Sequence, residues 1–292
     1  MSFDFEALRN ARATSPEKLQ AIYAARKRRK VIEGDGRLFI IAADHPARGA
    51  LAVREDALAM ANRYELLENL ALALSRPGVD GVLGTPDIID DLALMGVLDN
   101  KIVVGSMNRG GLRGSSFEMD DRLTGYDVDG IVRDGLDFAK MLNRINLEDA
   151  GTSNMLEESF VAVSNAAEAK VPIMLEPFIS KWVNGRIKND LSTEAVIHSV
   201  SIAAGLGNSS AYTWLKLPVV ERMDEVMAAT TLPTLLLGGE PADDQDKAFE
   251  SWESALALPG VRGLVVGRTL LYPADKNVEA AVDTAVRMVH SK

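Results

Sequence analysis

The sequence predicts a single (β/α)₈ TIM barrel with an N-terminal helical extension. Three observations predict it: short apolar runs alternate with segments of helical periodicity to the end of the chain, eight such runs can be counted, and no GxGxxG follows the first of them. The 292 residues suffice for two ordinary domains, but equally for one barrel, which takes ~250 residues. No linker or low-complexity tract divides the chain, which favours one domain.

Ahead of the first strand, Asp4–Ala13 and Pro16–Glu33 are amphipathic. They are expected to form helices covering the barrel bottom or a subunit interface, the second capped by Ser15 with Pro16 at its first helical position. This divides the chain into a helical extension over residues 1–36 and a barrel over residues 37–292.

The eight strand-like runs are Leu38–Ala43, Gly81–Leu83, Ile102–Gly105, Phe138–Leu142, Pro172–Glu176, Tyr212–Leu217, Thr234–Leu237 and Leu264–Val266. Between and after them, Tyr64–Leu74, Leu156–Ala169, Glu194–Ala204, Arg222–Ala229, Lys247–Leu256 and Val278–Val289 repeat leucine, alanine and valine at three- and four-residue spacing. Strands that alternate with helices pair in parallel, because each crossover needs a helix. Most of the strands are apolar on both faces, as a closed barrel with an outer helical ring requires. Met107–Asp129 is long, glycine-rich and irregular; following the third strand, it is expected at the top of the barrel with a functional role.

A net charge of −10 argues against nucleic acid and anionic membrane surfaces as partners, so an anionic substrate must be met by a local site. The absence of cysteine removes disulfides, thiolate metal sites and thiol nucleophiles, and fits a reducing cytoplasm. The first twenty residues carry acidic groups and no apolar core, unlike a secretory signal, and no stretch approaches the ~20 apolar residues of a membrane span. A small-molecule partner and a homo-oligomer are the expectation, with no cofactor and no metal.

In such barrels the reacting groups project from the C-terminal ends of the strands. Period-two alternation puts Tyr212, Trp214 and Lys216 on one face and Leu215 and Leu217 on the other. An amine held beside aromatics in an apolar interior loses hydration of its charged form, so its pKa falls and its lone pair is freed to attack a carbonyl. A surface or ion-paired lysine is about as common in such a position. The same reasoning applies to Lys140 in Phe-Ala-Lys-Met-Leu, where an ion pair with Glu176 or Asp44 is also expected.

Glu176 ends Pro-Ile-Met-Leu-Glu and is suited to exchange a hydroxyl proton, or to balance charge. Asp44 ends Ile-Ile-Ala-Ala-Asp and is suited to hold a lysine or substrate hydroxyls, or to cap the following turn. His45 beside it is expected to be a supporting loop residue and not the catalyst. Gly238 and Gly239, with Gly267 and Arg268, end the last two strands, the pair that usually grips phosphate in this architecture.

These residues resemble the class I aldolases that group deoxyribose-phosphate, archaeal-type fructose-bisphosphate and tagatose-bisphosphate aldolases, over roughly Leu38 to Val289. Ala42–Leu51, with Asp44 followed by Arg-Gly-Ala-Leu, is similar to the first-strand signature of the tagatose-bisphosphate branch. Lys140 matches that branch's fourth-strand lysine, and Lys216 in Leu-Lys-Leu-Pro-Val its Schiff-base lysine. The resemblance implies proton transfer by Glu176 and phosphate binding by Gly238, Gly239, Gly267 and Arg268. His45-Pro46-Ala47 stands as an insertion relative to that branch. The chain also resembles an actinobacterial-type subgroup associated with inositol catabolism, which implies a phosphorylated deoxy-keto-gluconate as one candidate substrate.

Two rival functions stand beside this one. A metal-dependent lyase would lack clustered histidines for zinc, since the three are His45, His198 and His290, the last two on expected outer helices. Magnesium on Asp44 and Glu176 remains a rival. The other is a non-catalytic sugar-phosphate binder, for which two interior lysines and a glutamate are superfluous.

Overall fold

The structure, a computed structural model, describes residues 3–108, 110–239 and 245–290. Its strands are β1 (Leu38–Ala42), β2 (Gly81–Gly84), β3 (Ile102–Ser106), β4 (Phe138–Ile145), β5 (Ile173–Val183), β6 (Arg186–Asn189), β7 (Thr213–Pro218), β8 (Thr234–Leu237) and β9 (Val261–Val266). The α-helices are α1 (Phe5–Thr14), α2 (Lys18–Ala25), α3 (Arg63–Ser75), α4 (Pro86–Leu94), α5 (Val128–Arg133), α6 (Gly151–Ala169), α7 (Thr193–Ala204), α8 (Met223–Ala228), α9 (Gln245–Leu256), α10 (Arg268–Leu271) and α11 (Val278–His290). All strands but β6 pair in parallel around a closed ring, with β9 returning to β1 and β4 joined to β5. This is the expected closed eight-stranded barrel. No helix among the described residues is long and apolar enough to cross a membrane.

Alternation along the strands produces two apolar layers. Leu38, Ile40 and Ala42 of β1, Ile102 and Val104 of β3, Phe138, Met174, Leu235 and Val265 fill the barrel interior, and Trp214 packs against them. The intervening residues, among them Phe39, Ile41, Val103, Ala139, Ile173, Leu175, Leu215 and Leu217, face the helices in a larger outer cluster. Burying one such leucine or isoleucine contributes roughly 1.5–3 kcal/mol, and a one-residue slip would turn a whole strand inside out. Trp214 meets Phe138 edge-on, ring centroids 5.4 Å apart, which stiffens the layer beneath Lys216.

The N-terminal extension departs from expectation in two ways. Ser15 does not cap the second helix; it closes the first, its N–H donating to the Ala11 carbonyl, and α2 follows Glu17 without a side-chain cap. That helix also ends at Ala25 instead of Glu33, because the arginines of Arg26-Lys27-Arg28-Arg29-Lys30 are drawn to separate buried carboxylates. The arginines fan out to carboxylates at the barrel bottom: Arg26 and Arg28 to Asp137, and Arg29 to Asp80. Both helices pack beside α4 on the flank, while the extended strap after them crosses the bottom and sets Val31 against the interior cluster.

β4 and β5 run beyond the expected ends at Leu142 and Glu176, staying in register as far as Ile145 and Ile179. Past that point β5 turns back as an antiparallel hairpin with β6 through Asn184 and Gly185, at φ of 51° and 72°. The extended β4 anchors the loop after β3: the Arg144 guanidinium donates to Asp121 Oδ1 at 2.8 Å and to the Glu118 carbonyl. Arg113 N in the same loop donates to the Arg48 carbonyl at 3.0 Å, tying the loop to the segment after β1.

Candidate active site

The interior alternation that is apolar at the lower positions turns polar at the top. Continuing the inward-facing series gives Asp44 after β1, Ser106 on β3, Lys140 on β4, Glu176 on β5 and Lys216 on β7. All five are buried, Lys140 at 1% exposure and Lys216 at 3%.

Their polar atoms form a continuous chain of alternating charge. Lys216 Nζ donates to Glu176 Oε1 at 2.8 Å. Glu176 Oε2 lies 2.5 Å from Lys140 Nζ, which also donates to Asp44 Oδ2 at 2.9 Å. Asp44 Oδ2 accepts further from Arg48 Nη1 at 3.1 Å and from Ser106 Oγ at 3.4 Å. Lys140 therefore pairs with both carboxylates named as its possible partners. Arg48 was not among the expected site residues, although it stands in the Arg-Gly-Ala-Leu motif; its four-residue spacing from Asp44 is the signal that would have found it.

The electrostatics follow from this geometry. Burial lowers the Lys216 pKa, and the neighbouring Lys140 ammonium lowers it further, while Glu176 and Asp44 only partly oppose the shift. Burial acts to raise Glu176, yet the two lysines outweigh it and bring its pKa down to about 2. Burial likewise works against the Asp44 carboxylate, but Lys140, Arg48 and further cations hold it well below the usual range. The cluster thus pairs two committed carboxylates with an amine inclined to give up its proton.

The glycines and arginine after β8 and β9 lie side by side, since Leu237 pairs with Val265. Gly239 adopts φ +71°, which a side chain would strain. At Gly267 a Cβ would sit 2.2 Å from the Ala42 carbonyl oxygen, so glycine alone lets this turn close against β1. Arg268 opens α10, is 9% exposed, and directs Nη1 to the Ala52 carbonyl at 3.5 Å. Glu240 and Pro241, which follow the first glycine pair, lie outside the described residues. His45 sits among these groups, with Asp44, Arg48, Arg268 and Lys216 all acting on its charge. His198 and His290 lie on α7 and α11, away from the site.

Residues 36–286 match the sequence model of the family described as Cgl0159-like. The chain belongs to that family. The crystal structure of Cgl0159 from Corynebacterium glutamicum (Brevibacterium flavum) is similar to this Cgl0159-like chain at 68% identity and a TM-score of 0.96, over 98% of this chain and 96% of that one. An archaeal fructose 1,6-bisphosphate aldolase aligns at TM-score 0.65 and 17% identity, over 93% of this chain and 98% of its own. A Schiff base forming fructose-1,6-bisphosphate aldolase aligns at TM-score 0.62 and 18% identity, over 93% and 100%. At these identities the aldolases share the barrel fold with the Cgl0159-like chain. No match is found among curated proteins.

Proposed function

We propose that the protein is a class I aldolase, an aldehyde-lyase that makes or breaks a carbon–carbon bond in a phosphorylated sugar or keto-sugar acid through a Schiff base on Lys216. The observation that carries this reading is the 2.8 Å contact between Lys216, a buried amine with a lowered pKa, and the Glu176 carboxylate. The shared fold with Schiff base forming aldolases adds to it.

In the cleavage direction, neutral Lys216 adds to the substrate ketone, and loss of water gives a protonated imine. The carbon–carbon bond then breaks; its electron pair moves into the imine to leave an enamine, and the hydroxyl proton passes to a carboxylate as the aldehyde departs. Glu176 suits that proton transfer by position, since its carboxylate lies 2.8 Å from the amine that would form the imine. Lys140 assists the dehydration or lowers the pKa of the Lys216 amine. Asp44 holds Lys140 and the substrate. Gly238, Gly239, Gly267 and Arg268 would hold phosphate, for which their adjacency on neighbouring strand ends and the buried guanidinium speak.

A phosphorylated deoxy-keto-gluconate of inositol catabolism is the candidate substrate that the sequence resemblance suggests. A homo-oligomer, and an organisation into an extension over residues 1–36 and a barrel beyond it, belong to the same proposal. Magnesium between Asp44 and Glu176 is disfavoured by Lys140, whose ammonium already stands within 2.9 Å of the one and 2.5 Å of the other.

Borohydride reduction in the presence of candidate ketones, followed by peptide mass mapping, tests the proposal. A reduced adduct on Lys216 is expected. An adduct on Lys140 would reverse the two lysine roles, and no adduct with any ketone that the protein binds would end the Schiff-base reading.

A further inference from the structure

Among the described residues, several buried polar atoms at the top of the barrel make no hydrogen bond, and two of them face each other. Asp44 uses Oδ2 for Lys140, Arg48 and Ser106, but its Oδ1 is buried and receives no hydrogen bond. His45 Nδ1 is likewise buried without a partner, 3.6 Å from that oxygen. A buried polar atom left unmatched is costly. Two of them facing each other beside a proposed reaction centre call for a ligand group that satisfies both.

The chemistry of that group follows from the two atoms. Asp44 is a carboxylate and can only accept a hydrogen bond. Burial, with Arg48, Arg268 and Lys216 nearby, keeps the imidazole uncharged against the pull of Asp44, so its Nδ1 carries a proton only in one of the two neutral tautomers. A hydroxyl satisfies both: its O–H donates to Oδ1 and its lone pair accepts from Nδ1–H. Donor and acceptor on a tetrahedral oxygen, each at about 2.8 Å, stand roughly 4.6 Å apart, so from 3.6 Å the imidazole must swing back by about an ångström to admit one oxygen between them.

We propose that His45, together with Asp44 Oδ1, forms a slot for one hydroxyl of the ketone-bearing substrate, and that His45 thereby selects hydroxylated ketones over their deoxygenated counterparts. The inference rests on the Schiff-base reading and deepens it. Admission requires a small movement, for which the imidazole is suited: its side chain is 19% exposed, whereas that of Asp44 is 1% exposed and tied on three sides. His45 leads directly into the short 3₁₀ turn Pro46–Arg48, which carries both the imidazole and the Arg48 guanidinium toward Asp44. The local insertion that sets this sequence apart from the tagatose-bisphosphate branch would then be a specificity element.

Dihydroxyacetone phosphate and acetol phosphate form a matched pair, the second lacking the free hydroxyl. The measurement is the concentration of each ketone that half-saturates borohydride labelling of Lys216 by intact mass, in the wild type, His45→Phe and His45→Gln. In the wild type, dihydroxyacetone phosphate is expected to half-saturate at roughly tenfold lower concentration, as loss of one hydrogen bond predicts. His45→Phe should abolish the difference and His45→Gln, which retains a donor, should keep part of it. Comparing the ratio between variants removes the intrinsic reactivity of the two ketones and any general loss of folded protein. An unchanged ratio in His45→Phe would overturn the hydroxyl slot while leaving the Schiff base standing. Wild-type protein that binds both ketones and labels with neither would instead overturn the Schiff-base reading, and the slot with it.

Discussion

Lys216 reaches Glu176 from the neighbouring strand, Nζ to Oε1 at 2.8 Å, while the other oxygen of the same carboxylate is held by Lys140 at 2.5 Å. One carboxylate therefore serves two amines, and the protonation of Lys216 is governed by the balance between a buried anion and a buried cation beside it.

Glu176→Gln removes the strongest influence keeping Lys216 protonated. The pKa of the amine falls further, so the pH midpoint of ketone trapping on Lys216 is expected to move to lower pH. Turnover, which loses the proposed proton carrier, should fall by roughly 10²–10⁴. A midpoint that rises would contradict the arrangement.

Lys140→Met acts in the opposite sense. Its ammonium depresses the Lys216 pKa, so the trapping midpoint should move to higher pH. Removing one partner from a buried ion-pair network also destabilises the fold, by about 3 kcal/mol. Urea denaturation at neutral pH measures that loss.

Arg144→Ala cuts the tie between β4 and the loop after β3, where the guanidinium meets Asp121 and the Glu118 carbonyl. Limited proteolysis should then cleave within residues 110–125 well before the remainder of the chain. Equal protease resistance in wild type and variant would show that other contacts hold the loop.

His290 bridges Asp80 and Asp35 at the barrel bottom, and its hydrogen bond to Asp80 is the main cause raising its pKa above 6.5. A pKa raised by folding contributes stability that is complete below the unfolded value and is lost as pH rises through the folded one. His290→Gln is therefore expected to lower Tm most below about pH 6.5, the gap to wild type narrowing as pH rises past the raised pKa. A gap that widens with pH would invert the assignment.

The barrel was legible because its signals are local and repeated. Alternation placed Trp214 and Lys216 on one face, and the structure puts that face inward. Looking for polar residues where apolar runs end brought together Asp44, Lys140, Glu176 and Lys216. What the sequence concealed depends on distant partners. α2 stops at Ala25 because Asp137 and Asp80 await the arginines that follow, residues more than fifty positions away in the chain. The hairpin is a different case: Asn184-Gly185 is a strong turn signal. It was masked by Pro177, which suggests a strand end but here lies within β5, in register with Asn143.

Val31 closes the lower end of the barrel against the interior cluster. The extension thus forms a floor beneath the packed layers that separate Lys216 from the lower end, Phe138 and Met174 among them. A shortened version beginning at the first strand would keep all five buried polar side chains at the top, yet lose Arg26, Arg28 and Arg29, and leave the buried carboxylates of Asp137 and Asp80 without those partners at the other end.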